Sequence, residues 1–186
     1  MPNAADQYVL DYARIFGIPA IVFRMSCIYG QRQYGTEDQG WIAHFLRAAL
    51  AEEPITVYGT GKQLRDVLFV TDVIDALLLA QQHVSVLRGR AFNIGGGPQN
   101  TASLIEVLDL IEELAGVSPR MRFADWRPGD QPWYVSDIRA FGTATGWQPR
   151  IRSRDGMRRL LRWLCEWTGR TYLPTELHGA SACVSR

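Results

Sequence analysis

Lysine is almost missing. Of the 20 basic residues in this 186-residue chain, 19 are arginine and Lys62 stands alone. Any chemistry that needs an amine has that one side chain to use. Cysteine is scarce as well. Cys27, Cys165 and Cys183 are odd in number and lack metal-ligand spacing. That argues against a disulfide framework or a zinc site, and it fits a reducing, cytoplasmic setting. No apolar run reaches the ~18 residues of a membrane span. The first residues lack a basic region and an apolar core, so no secretory leader is expected. An excess of one charge is missing too: 20 basic against 19 acidic residues leave +1. A general nucleic-acid binder would carry more positive charge.

What is present is an ordinary globular composition, 47% hydrophobic and 21% charged. A chain this long makes about one domain and needs no covalent staples. Apolar residues at helical spacing run from Asp6 to Phe16 and stop at Gly17. Ile18 to Phe23 is a continuous apolar run, as expected of a strand buried on both faces. Residues 30–40 read as loop, Trp41 to Ala51 as helix, Ile55 to Tyr58 as a short strand, and Gly59 to Gly61 as a turn. Leu64 to Val70 reads as a strand. Thr71 or Asp72 is placed to cap a helix ending near His83. A strand over Ala91 to Ile94 leads into Gly95-Gly96-Gly97, and Thr101 or Ser103 is placed to cap a helix to Ala115. Met121 to Phe123 reads as a brief strand. Helices are expected from Ser136 or Asp137 to Thr145 and from Arg154 to Thr168, followed by a loose tail. Alternating strands and helices make an α/β fold.

Several motifs carry chemistry, each with a plainer alternative. Gly95-x-Gly97 lies between a strand and a helix, where backbone N–H groups suit a pyrophosphate. A tight strand-to-helix connection is the favoured reading, because Asn100 stands where the dinucleotide pattern wants glycine or alanine and Pro98 intrudes. Tyr58 and Lys62 have the Y-x-x-x-K spacing of a proton-transfer pair. Two glycines between them oppose the helix on which that spacing works. Arg65-Asp66 and the run Arg127 to Asp130 are stronger candidates. Arginine grips a phosphate with two donors, and Asp130 is suited to accept from vicinal hydroxyls. Surface ion pairs, Arg65 with Asp66 or Asp72 and Arg127 with Asp125, are the alternative. Arginines 150, 152, 154, 158, 159 and 162 surround the apolar set Met157, Leu160, Leu161 and Leu164, the pattern of a solvated helix face. His44, His83 and His178 have no partner spacing.

Six segments together resemble one family: Tyr8 to Arg14, Phe23 to Gly30, Asp38 to Trp41, Tyr58 to Asp66, Phe92 to Gly97 and Trp126 to Gln131. They are similar to the C-terminal part of the extended short-chain dehydrogenase/reductases, NAD-dependent nucleotide-sugar epimerases and dehydratases, with Asp38 to Trp41 pointing to the CDP-sugar branch. The resemblance implies a remnant of the NAD-binding Rossmann domain over residues 1–30. A nucleotide-sugar-binding region would follow over 31–172, with 91–115 packing back on the Rossmann sheet, and a loose tail over 173–186. It implies Met25 near the cofactor, and Ser26 and Cys27 beside the sugar. Gln39, Gly40 and Trp41 would open a helix at the sugar diphosphate, and Thr56 to Tyr58 would run along the base. Arg65 and Arg127 would bind phosphate and Asp130 the ribose. It makes Gly95 to Gly97 a turn after a late strand. The family's glycine-rich NAD loop and catalytic tyrosine and lysine would align before this chain or near Pro2. No catalytic residue is therefore assigned. The expected behaviour is that of a substrate-binding portion, truncated or split, inactive and without NAD when alone. Its expected partners are a nucleotide sugar, CDP-sugar favoured, and a missing N-terminal half or a second copy, not nucleic acid or membrane. A catalytically empty binding module or a decayed fragment is the alternative.

Overall fold

The computed structural model describes residues 4–173 and 182–185. Helix α1 (Ala4–Phe16) leads into β1 (Val22–Met25) and β2 (Cys27–Tyr29), then α2 (Trp41–Leu50), β3 (Ile55–Tyr58) and β4 (Leu64–Phe69). Helices α3 (Val70–Gln82) and α4 (Val84–Leu87) precede β5 (Ala91–Ile94), β6 (Thr101–Ser103) and α5 (Leu104–Ala115). The chain continues through β7 (Met121–Ala124), β8 (Trp133–Tyr134), α6 (Arg139–Thr145), α7 (Ser153–Trp167), β9 (Arg170–Leu173) and β10 (Ala182–Ser185). The fold is mixed α/β and Rossmann-like.

The apolar run at 18–23 does not form one strand. Pro19 removes a ladder donor, Ala20 N–H bonds back to Ile18 O in a turn, and β1 starts only at Val22. β1 pairs in parallel with β5, Val22 opposite Ala91 and Met25 opposite Ile94. Then the chain changes sheet. Ser26 N–H still reaches Ile94 O, but its Oγ donates to Asp66 O at 2.9 Å. From Cys27 the strand pairs with β4 instead, Cys27 opposite Val67 and Tyr29 opposite Phe69. β4 also holds β6 antiparallel and β8 parallel, while β3 pairs with β7.

β4 joins two cores by its alternation, since successive side chains of a strand face opposite ways. Val67 and Phe69 enter a core with Tyr29, Ile42, Leu46, Ile55, Leu108 and Leu161. Leu68, between them, enters a second core with Ala76, Phe92, Ile94, Phe141 and Trp147. At α3 no side chain makes the cap expected of Thr71 or Asp72; the N-cap is Phe69. Asp72 is instead buried, and its Oδ2 accepts Arg150 N–H at 3.2 Å and Ile151 N–H at 3.0 Å. It pins the segment before α7. Helix α5 is capped by Ser103, which accepts from Glu106 N–H while Glu106 accepts from Ser103 N–H.

The tail is not loose throughout. β9 and β10 pair antiparallel, Leu173 opposite Ala182; residues 174–181 and 186 lie outside the described residues. Cys165 is disulfide-bonded and Cys27 is free, which departs from the expectation of wholly reduced cysteines. α1 leaves Tyr8, Tyr12, Ile15 and Phe16 exposed. Among the described residues no helix is long and apolar enough to cross a membrane.

Candidate functional site

Two adjoining clefts gather the side chains singled out from the sequence. The first, of about 320 Å³, is lined by Trp41, Thr56, Tyr58, Arg65, Arg127 and Asp130 among others. The second, of about 440 Å³, is lined by Met25, Ser26, Cys27, Gln39, Gly40 and Trp41. Trp41 belongs to both and is their shared wall. The second cleft lies at Ser26, where the chain leaves one strand pair for another. In α/β sheets such switch points open crevices beyond the strand ends.

Local backbone chemistry sets these side chains. Gly40 caps α2 in the left-handed region at φ 75°, which glycine adopts without steric penalty. A Cβ there would also press on the Gln33 side chain at 3.0 Å. The next residue, Trp41, starts the helix at the cleft wall. β3 delivers Thr56 and Tyr58; Arg122 Nε donates to Thr56 Oγ1 at 2.8 Å, so that hydroxyl already has a partner. β4 delivers Arg65, which is only 14% exposed at its side chain and pairs with Asp130 at 2.5 Å. Asp130 also accepts Gln131 N–H at 3.0 Å, and Gln63 Nε2 at 3.5 Å. Gln63 is fixed in turn by donating to Tyr58 O at 2.7 Å.

Arg127 lies over the Tyr58 ring, its Cζ 4.0 Å from the centroid. Its two terminal nitrogens face Glu37 Oε1 at 3.5 Å and Asp38 Oδ1 at 3.4 Å. The Tyr58 hydroxyl donates to Glu37, and this bond, ahead of the nearby Arg127, holds the Glu37 carboxyl below its ordinary pKa. Neither arginine uses the partners weighed from the sequence: Arg65 takes Asp130, and Arg127 takes Glu37 and Asp38. The Cys27 thiol is pushed up by burial, with a hydrogen bond from Trp41 opposing the shift.

Glu37, Phe45, Gln63 and Leu104 also line the first cleft, and Gln33 and Asp38 the second. Sequence reasoning missed them as site residues. Gln63 had a detectable signal, its place two residues before Arg65. Glu37 sat in a stretch read only as loop. Tyr58 and Lys62 do not share a helix: Tyr58 ends β3 and Lys62 follows in the turn.

The glycine turn at 95–97 does not fit a dinucleotide pyrophosphate. A Cβ on Gly95 would lie 2.3 Å from Asp66 Oδ2, and one on Gly96 would lie 2.2 Å from Val67 O. Protein atoms already fill the space that the glycines open. Gly97 N–H is used as well, donating to Asp66 Oδ2 at 3.1 Å. Among the described residues no cluster of His, Cys, Asp and Glu suits a metal ion.

Comparison with known proteins agrees with this architecture. The chain is 42% identical over 166 residues to CDP-paratose 2-epimerase of Salmonella typhi, covering 87% of this chain and 49% of that protein. It is 31% identical to a dTDP-glucose 4,6-dehydratase of Haemophilus influenzae, covering 86% of this chain and again 49% of the relative. Among solved structures, UDP-glucose 4-epimerase of Thermotoga maritima with UDP-glucose superposes with a TM-score of 0.80 at 26% identity, over 89% of this chain and 52% of that one. UDP-glucuronic acid 4-epimerase of Bacillus cereus, in complex with UDP-glucuronic acid and NAD, gives 0.79 at 25% identity, over 88% and 51%. The chain thus spans about half the length of the curated relatives it matches. Residues 3–95 match the NAD dependent epimerase/dehydratase family, and the chain belongs to that family.

Proposed function

We propose that this chain is the substrate-binding portion of an NAD-dependent nucleotide-sugar epimerase similar to CDP-paratose 2-epimerase. The observation that carries this is the convergence of Arg65, Arg127 and Asp130 with Tyr58 and Trp41 in one cleft that opens beside a second. Arg65 and Arg127 present planar donor forks suited to a diphosphate. Asp130 supplies acceptors for ribose hydroxyls. Thr56 and Tyr58 flank the base, with the Tyr58 ring as a stacking face. The second cleft takes the sugar, with Ser26, Cys27, Gln39 and Gly40 around it. Met25, which lines that cleft and is 52% exposed, is the residue we assign to a nicotinamide contact. The chain's own residues bind and orient the sugar nucleotide. The exposed Tyr8, Tyr12, Ile15 and Phe16 of α1 supply a surface for a second chain.

Calorimetric titration with a CDP-hexose and separately with NAD tests this reading. CDP-hexose binding weakened about tenfold or more by Arg127→Ala, as for loss of a charged hydrogen-bond partner, is the expected result. NAD is expected not to bind this chain alone. Failure to bind the sugar nucleotide would refute the substrate site, and NAD binding would refute the placement of the cofactor outside it.

A further inference from the structure

Both arginines of the first cleft already have carboxylate partners. Arg65 is taken by Asp130. Arg127 is held by Glu37 and Asp38, and it covers the ring face of Tyr58. Two cations therefore face three carboxylates, and a diphosphate arriving here meets no unpaired positive charge among these five groups. Glu37 and Asp38 come from the loop before α2, whereas Arg127 comes from the segment between β7 and β8. Glu37 and Arg127 both line the first cleft. Asp38 also lines the second cleft, beside Gln39 and Gly40.

We propose that Glu37 and Asp38 are specificity-determining residues that occupy the donors of Arg127, so that a nucleoside diphosphate binds by exchanging its diphosphate for these two carboxylates. The proposal rests on the nucleotide-sugar reading of the cleft. Three features of the contacts carry it. Both Arg127 pairs are long, at 3.5 and 3.4 Å, and Asp38 is 90% exposed at its side chain, so they are weak enough to be displaced. Tyr58 anchors Glu37 from below through its hydroxyl, so the carboxylate stays at the cleft when Arg127 leaves it. Finally, Arg127 lies on the aromatic face that a planar base would use, so its departure uncovers the base subsite in the same movement.

Exchange discriminates between ligands by charge. A group bearing a single phosphate near Arg65 leaves the carboxylates on Arg127 undisturbed. A diphosphate long enough to reach both arginines replaces them on Arg127; Glu37 stays on the Tyr58 hydroxyl, and the exposed Asp38 swings away. Asp38 also lines the sugar cleft, so nucleotide entry and the shape of the sugar end are linked.

The test is calorimetric binding of CDP and of CMP to the wild-type chain, Glu37→Gln/Asp38→Asn, Arg127→Ala, and Asp125→Asn as a nearby charge control outside the cleft lining. The double variant is expected to bind CDP about three- to tenfold more tightly, the scale set by weak exposed ion pairs. CMP affinity should change less than about twofold, as should CDP affinity in Asp125→Asn, where a charge is removed without freeing an Arg127 donor. Unchanged or weaker CDP binding by the double variant overturns the exchange. So does an equal gain in Asp125→Asn, or an equal gain for CMP. If the wild type binds CDP and Arg127→Ala weakens it while the double variant changes nothing, the binding site stands and the exchange falls. If no chain binds CDP, the nucleotide reading falls and the exchange with it.

Discussion

Gly95→Ala adds one methyl group at the junction between the strand pairs, and its effect can be worked from the surroundings. The new Cβ would lie 2.3 Å from Asp66 Oδ2 and 2.5 Å from Ser136 Oγ. Both partners are buried, Asp66 at 0% and Ser136 at 4% exposure. Asp66 Oδ2 also accepts Gly97 N–H at 3.1 Å. Two responses are open. If the carboxyl swings aside, the buried Gly97 N–H loses its partner, at about 1–3 kcal/mol. If the carboxyl stays, β4 and β5 must separate, an overpacking cost of about 1–3 kcal/mol. A mixture keeps the loss at about 1–3 kcal/mol, or roughly 2–12 °C in Tm for a chain of this size. Arg65 precedes Asp66 on the same strand, so CDP affinity should fall in the fraction that remains folded. The assay is thermal unfolding by circular dichroism beside Gly89→Ala. Gly89 has φ +71° and nothing within 4 Å of its virtual Cβ, so that variant measures backbone strain alone, about 1 kcal/mol. If Gly95→Ala loses no more Tm than Gly89→Ala, the packing argument is wrong.

Other substitutions probe separate parts of the molecule. Asp72→Ala strips the partner from two backbone N–H groups, those of Arg150 and Ile151, and should cost about 2–5 kcal/mol by urea denaturation, with Asp72→Asn recovering part of it. Ser103→Ala removes one arm of the α5 capping box and should cost about 1 kcal/mol in the same assay. The Ser103 backbone N–H lowers the Glu106 carboxyl pKa, so its contribution is present above the ordinary carboxylate pKa and is lost as pH falls through the lowered value. Glu106→Gln should therefore be less stable than the wild type at pH 7 and converge with it once the pH falls below the lowered value, measured as urea midpoints. Burial raises the Cys27 thiol pKa, so it should react with a chromogenic disulfide more slowly than a small free thiol at pH 8; equal rates would show an open thiol.

The sequence was most legible where local chemistry decided the outcome. Helical periodicity between Trp41 and Leu50, a strand from Ile55 to Tyr58 and a helix ending at Ala115 all appear where spacing and stop signals place them. Failures came where a distant partner decided. Pro19 breaks the apolar run that looked like one strand, and the true strand uses Val22 to Met25 because β5 lies beside it. Asp72 reads locally as a cap, yet its carboxyl is claimed by a loop 78 residues away. β6 and β8 are two or three residues long and exist because β4 offers them an edge; no periodicity announces strands that short. For the site, the arginines and Asp130 stand out by residue type and setting. Glu37 does not, because its role depends on Tyr58 and Arg127 arriving from elsewhere in the chain. The disulfide at Cys165 was hidden for a similar reason, since spacing along a chain does not report which thiols meet in space.

The turn carrying the lone lysine has a practical side. Lys62 is exposed and sits beside Gln63, whose side chain helps line the first cleft. With every other basic side chain a guanidinium, an amine-reactive dye meets one side-chain amine on this molecule besides the chain terminus. The scarcity that narrows the protein's own chemistry thereby supplies an address for a spectroscopic label, attached next to the opening through which a ligand would pass.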